Sequence, residues 1–142
     1  MAKKTVFLTG SSGTMGWAGF KELYAKKDKF DIVVLNRGSQ KNKDKFKPFE
    51  NDPSVKLVWG DLTNYEDVLE MVTGADYVLH VGGMVSPAAD YYPVKTQKTN
   101  VAAAQNIVKA IKAQPNPDAV KVVYIGTVAE TGDRNAPIHW GR

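Results

Sequence analysis

The 142-residue sequence predicts a doubly wound α/β domain, a parallel sheet of about five strands with helices on both faces. Three observations carry that expectation. Short continuous apolar runs recur along the chain, each of a length suited to a strand buried on both faces. Stretches of helical pattern lie between them, the alternation expected of right-handed βαβ units. The first apolar run leads directly into a glycine-rich turn, Thr9-Gly10-Ser11-Ser12-Gly13-Thr14-Met15-Gly16.

Taken in order, Thr5-Val6-Phe7-Leu8 reads as the first strand and residues 14–27 as the helix after the turn. Ile32-Val33-Val34-Leu35 is the second strand. From Arg37 to Pro53 the pattern lapses, and the stretch reads as a loop with Lys41, Lys43, Lys45 and Lys47 in solvent. Val55-Lys56-Leu57-Val58-Trp59 is the third strand, residues 64–73 a short helix, and Tyr77-Val78-Leu79-His80-Val81 the fourth strand. A long helix over 93–113 precedes a fifth strand, Val122-Val123-Tyr124-Ile125. No internal repeat, low-complexity tract or interdomain linker interrupts the pattern, so residues 1–142 form one domain.

The glycine turn carries the chemistry. Between a strand and a helix it leaves backbone N–H groups free at the positive end of the helix dipole, where a phosphate is stabilised. Gly10 permits a sharp turn, Gly13 lets the backbone approach a pyrophosphate, and Gly16 lets helix and strand pack closely. Ser12, Thr14 and Met15 then line the phosphate path, which implies a nicotinamide dinucleotide. A tight turn with no ligand is the plainer alternative. An acid some 20 residues beyond the glycines normally holds the ribose 2′-hydroxyl of NAD. Here that position is Asn36, followed by Arg37. Asparagine does not repel a 2′-phosphate, and a planar guanidinium can pair with it. The expected cofactor is therefore NADP(H), with NAD the alternative if Arg37 stacks on adenine or points to solvent.

These residues resemble the extended short-chain dehydrogenase/reductases, the NAD-dependent epimerase/dehydratase family, whose nucleotide domain is Rossmann-type. Thr9-Gly10-x-x-Gly13-x-x-Gly16 is similar to the family's fingerprint, and Gly60-Asp61-Leu62 to the Asp-Leu pair that meets adenine. His80-Val81-Gly82-Gly83 resembles the segment that runs along the cofactor, with glycines in place of alanines. Asn100-Val101-Ala102-Ala103-Ala104-Gln105-Asn106 resembles the family's Asn-Val-x-Gly-Thr-x-Asn helix pattern, with alanine at the glycine and threonine positions. Tyr124-Ile125-Gly126-Thr127 resembles the strand that ends in a catalytic serine. The resemblance implies hydride transfer at an alcohol or carbonyl, with Thr127 donating to the reacting oxygen and Asn100 positioning the site. It assigns Asp61, Leu62, Val81, Gly82, Gly83, Asn100, Ile125 and Gly126 to the cofactor.

The family's catalytic Tyr-x-x-x-Lys, roughly two dozen residues past that serine, has no counterpart. Tyr91-Tyr92-Pro93-Val94-Lys95 has the spacing but lies before the long helix, with Pro93 inside it, and reads as a decoy. The chain therefore resembles the first part of a longer enzyme whose substrate-binding region lies elsewhere, on the same chain or a companion polypeptide. A nucleotide-sugar epimerase or dehydratase fragment, and a non-catalytic dinucleotide-binding regulatory module, are the competing readings. Ser86, Tyr91 and Tyr92 could touch a small-molecule substrate; the resemblance also allows a homodimer.

Bland readings stand beside these. Asp61 could cap the helix near Asn64, His80 is best read as a packed histidine, and Trp17, Trp59 and Trp140 as packing residues. His139 carries no motif, and two isolated histidines without cysteine give no metal site. A net charge of +4 permits anionic ligands but, without a supporting motif, is too mild to argue for nucleic acid, and no nucleic-acid partner is expected. No apolar run approaches the roughly 18 residues of a membrane span. The absence of cysteine and of a visible signal peptide agrees with a cytoplasmic protein.

Overall fold

The computed structural model describes residues 2–127. Its one sheet holds five parallel strands: β1 (Lys4–Thr9), β2 (Phe30–Asn36), β3 (Val55–Trp59), β4 (Tyr77–His80) and β5 (Lys121–Tyr124). They lie in the order β3-β2-β1-β4-β5. The helices are α1 (Thr14–Tyr24), α2 (Gln40–Phe46), α3 (Tyr65–Val72), α4 (Ala88–Tyr91) and α5 (Pro93–Lys112). The strands coincide with the five apolar runs to within two residues, and α1 is shorter than its sequence pattern by three.

Strand alternation builds a core on each face. Phe7, Val33, Leu35 and Val78 point to one side, where Val68, Met71 and Val72 of α3 and Ile107 and Ala110 of α5 cover them. Leu8, Ile32, Val34 and Val55 point to the other, against Phe20 of α1 and Phe46 of α2. On that second face Trp17, Phe20, Tyr24, Phe46 and Phe49 form an aromatic cluster, with Phe20–Phe46 centroids 5.2 Å apart at 71°. Offset and edge-to-face pairs of this kind add to the area they bury.

The stretch from Arg37 to Pro53, expected as a loop, corrects the sequence reading. It contains α2 and a 3₁₀ turn at Lys47–Phe49. Ser39 caps α2 by accepting from the Asn42 N–H at 3.3 Å, and Phe46 at the far end is fully buried. The cap starts the helix and the phenylalanine docks it. Of the four lysines expected in solvent, Lys45 is not free: its Nζ donates to the Ser12 carbonyl at 3.0 Å and lies 4.3 Å from the Trp17 ring centroid. Trp59, expected to pack, is 38% exposed at the end of β3. The short helix α4 was likewise absent from the sequence pattern.

Candidate functional site

The connection after β3 carries the chain across β1 to β4, so the strand order reverses between β1 and β4. In open α/β sheets the crevice outside the strand C-termini at such a point is where ligands bind. The glycine turn sits there, between β1 and α1.

Its three glycines have different reasons to be glycine. Gly10 has φ +72°, and a Cβ there would meet Gly82 Cα at 2.6 Å. A Cβ on Gly16 would collide with the Gly10 carbonyl. Both are dictated by the fold. Gly13 is not: its φ of −82° suits any residue, and a Cβ would touch only the Gly10 oxygen at 3.4 Å. Among the described residues nothing requires glycine at 13.

Gly13 is also the N-cap of α1, without a side chain to accept from the first turn, and that turn carries no acid. Its own N–H donates to the Gly10 carbonyl at 3.0 Å. The N–H groups of Thr14, Met15 and Gly16 meet no acceptor among the described residues. Thr14 and Met15 face solvent, with Met15 64% exposed. The result is an open cluster of donors at the positive end of an 11-residue helix.

Thr9 ties the two sides of the crevice together. Its Oγ1 accepts from the Val81 and Gly82 N–H groups at 3.0 and 2.8 Å and lies 2.8 Å from His80 Nδ1. A hydroxyl carries one proton, so with two donors already on its oxygen it donates to Nδ1. His80 is thereby held as the neutral tautomer with its proton on Nε2. Burial also pushes the His80 pKa down. The imidazole, packed 5.9 Å from the Tyr124 ring, is a satisfied core histidine, as expected.

At the end of β2, Asn36 is buried and its Oδ1 accepts from Ser11 Oγ at 3.1 Å, which fixes β2 to the glycine turn. Arg37 follows in solvent. After β3, Asp61 Oδ1 accepts from both the N–H and the hydroxyl of Thr63 at 2.8 Å. The Thr63 N–H is the main cause holding its carboxyl below the usual range. The cap of α3 is Asn64, accepting from Glu66 N–H at 3.2 Å, so Asp61 does not cap it. Leu62 packs against the core, and its carbonyl accepts from Asn106 Nδ2 at 2.9 Å.

After β4, both ends of the Asn100 carboxamide engage Met84: Oδ1 accepts from its N–H at 2.8 Å and Nδ2 donates to its carbonyl at 3.1 Å. A Cβ on Gly83 would lie 3.3 Å from Asn100 Oδ1. Asn100 thus braces the backbone that passes Gly82 and Gly83. Ile125 N–H donates to the His80 carbonyl at 3.3 Å, and Gly126 and Thr127 continue from it, exposed at the same sheet end. Ser86 Oγ donates to Asp90 Oδ1, Tyr91 and Tyr92 are exposed, and Pro93 opens α5. His139 and Trp140 lie outside the described residues.

The structure therefore brings together Gly10, Gly16 and Gly82, joins Asn36 to Ser11, and sets Asn100 behind Gly83. Sequence reasoning passed over Thr9, Ser11 and Lys45 as side chains. The serine cap at Ser39 was the available signal for α2 and hence for Lys45. Among the described residues no group of three potential metal ligands occurs, and no helix is long and apolar enough to cross a membrane.

A sequence profile of the NAD-dependent epimerase/dehydratase family matches residues 6–139. UDP-glucose 4-epimerase of Rickettsia massiliae is 30% identical over 128 residues, which covers 87% of this chain and 36% of that protein. The Rickettsia canadensis enzyme of the same name is 34% identical over the same share of each. This chain spans about a third of the length of these curated relatives. Among solved structures, Pen from Bacillus thuringiensis superposes with TM-score 0.69 at 27% identity, covering 79% of this chain and 35% of that one. A double mutant of DesIV, a dTDP-glucose 4,6-dehydratase from Streptomyces venezuelae with NAD bound, superposes with TM-score 0.75 at 20% identity, covering 94% and 42%. At that identity the likeness is one of fold.

Proposed function

The chain belongs to the NAD-dependent epimerase/dehydratase family, and on that footing we propose that it is the dinucleotide-binding part of an oxidoreductase acting on an alcohol or carbonyl with NADP(H). The observation that carries this reading is the cluster of unmatched N–H donors at Thr14, Met15 and Gly16, beside a glycine at 13 that the fold does not need. A pyrophosphate fits both: it supplies acceptors, and it needs room where a Cβ would stand.

The remaining residues have roles that follow from their places. Ser12 and the Thr14 and Met15 amides face the phosphates. Asp61 and Leu62 lie where adenine would rest, and Val81, Gly82 and Gly83 offer a backbone path without side-chain bulk. Asn100 keeps that path in place through Met84. Ile125 and Gly126 lead to Thr127, whose hydroxyl can donate to a reacting oxygen. When bound, the cofactor supplies or accepts the hydride. The small-molecule substrate and the proton-exchanging tyrosine belong to the rest of the enzyme.

The preference for NADP(H) rests on Asn36 and Arg37. A charge-assisted bond from Arg37 is worth roughly 1.5–3 kcal/mol, or roughly a ten- to hundredfold preference. A second reading, an NAD-using nucleotide-sugar epimerase or dehydratase, is favoured by relatives named UDP-glucose 4-epimerase. Fluorescence titration of the chain with NADPH and NADH separates them. Tighter NADPH binding, lost in Arg37→Ala, supports the first; equal or tighter NADH binding transfers the proposal to the second. Failure to bind either would sink both.

A further inference from the structure

We propose that Lys45 is a second cation at the ribose 2′ position, a cofactor-specificity residue presented by α2; this rests on the dinucleotide reading above. The 2′ substituent of a bound dinucleotide lies where the end of β2 meets the glycine turn, since that is where an acid normally receives the 2′-hydroxyl. In this chain the corner is marked by the Ser11–Asn36 hydrogen bond. One cation reaches it and a second follows it in sequence. Arg37 is the next residue on the β2 side, and Lys45 reaches the turn from the α2 side, its Nζ 3.0 Å from the Ser12 carbonyl.

Lys45 is held there rather than merely near. Its ammonium lies 4.3 Å from the centroid of Trp17, and Trp17 packs edge-on against Phe46 of the same helix, with centroids 5.4 Å apart. Phe46 is fully buried, so α2 has little freedom to slide. The Ser12 carbonyl takes one of the three donors of the ammonium, which leaves two. No carboxylate forms an ion pair with Lys45 or Arg37 among the described residues. The acid on α2, Asp44, instead accepts from Gln40 at 2.8 Å. The Asp61 carboxyl is held down by the Thr63 N–H first and by the Arg37 charge least, and it forms no ion pair with Arg37. A corner with an asparagine where an acid would stand, the Lys45 ammonium beside it and no carboxylate paired to that ammonium among the described residues suits a phosphate dianion better than a hydroxyl.

The plain alternative is a strut: Lys45 fixes Ser12 and so shapes the turn for any dinucleotide. Titration of the 142-residue chain and its Lys45→Gln and Lys45→Arg variants with NADPH and NADH distinguishes the two. The expected result is about tenfold weaker NADPH binding in Lys45→Gln, from loss of one charge-assisted bond. NADH binding changes less than twofold, and Lys45→Arg keeps the NADPH affinity. Equal weakening of both cofactors in Lys45→Gln makes the residue a strut and overturns the proposal. So does an unchanged NADPH affinity, even where wild type prefers NADPH and the Arg37 reading survives. If wild type binds neither cofactor, the dinucleotide reading fails first and this inference falls with it.

Discussion

At the residue scale, the glycine turn separates what the fold needs from what a ligand needs. Gly13→Ala introduces a Cβ that meets only the Gly10 oxygen at ordinary contact distance. Its melting temperature should stay close to wild type while dinucleotide affinity falls at least tenfold in a fluorescence titration. Gly16→Ala, whose Cβ overlaps the Gly10 carbonyl, should instead prevent stable folding, visible as loss of the cooperative thermal transition. Thr9 carries comparable weight through hydrogen bonds. Thr9→Val is nearly isosteric but strands the Val81 and Gly82 N–H groups in a part-buried setting. Urea denaturation should record a loss of about 2–6 kcal/mol, each of the two unsatisfied donors costing about 1–3. Thr9→Ser should recover most of it.

At the scale of elements, legibility tracked hydrophobic pattern. The strands showed themselves as short apolar runs, buried on both sides in Val6-Phe7-Leu8 and Ile32-Val33-Val34-Leu35; β5, expected to be covered as well, is exposed along its whole length. The helices α1, α3 and α5 followed from the segments between them. By contrast α2, Gln-Lys-Asn-Lys-Asp-Lys-Phe, has no apolar stripe to read, and it is docked by one terminal phenylalanine. Phe46→Ala should therefore cost about 3–5 kcal/mol in chemical denaturation, and α2 amides should exchange faster with deuterium. A second device joins α1 to the turn before β3. Asp52 accepts from Lys27 Nζ at 2.7 Å, and also from the Ser54 N–H and the Tyr24 hydroxyl. These bonds, Lys27 foremost, lower its carboxyl from 3.8 to about 2. A native pKa below the unfolded one stabilises fully above the unfolded value and is lost as pH falls through the native one. The gap in melting temperature between wild type and Asp52→Asn should thus be full near neutrality and close as pH drops from about 4 toward 2.

At the scale of the whole molecule, the doubly wound class was legible and the strand order was not. Nothing in Thr5-Val6-Phe7-Leu8 says that it pairs with β4 as well as β2; the crossing at the switch point is a tertiary choice. The same holds for the site. Gly10, Gly13, Gly16, Asn36 and Arg37 were readable by spacing, whereas Lys45 and the Met84 bracing by Asn100 depend on which segments the fold brings together. That order also sets a sequence of events in time. Strands β1, β2 and β3 pair with near neighbours in the chain, but Thr9 and His80 are 71 residues apart. Closing the longer loop costs more entropy and comes later. Gly82, against which Gly10 packs, arrives only with β4, so a refolding chain can pair three of its five strands before the proposed nucleotide crevice is complete. In stopped-flow refolding with NADPH present, the rise in cofactor fluorescence should follow, and never precede, the far-UV signal of the first strands.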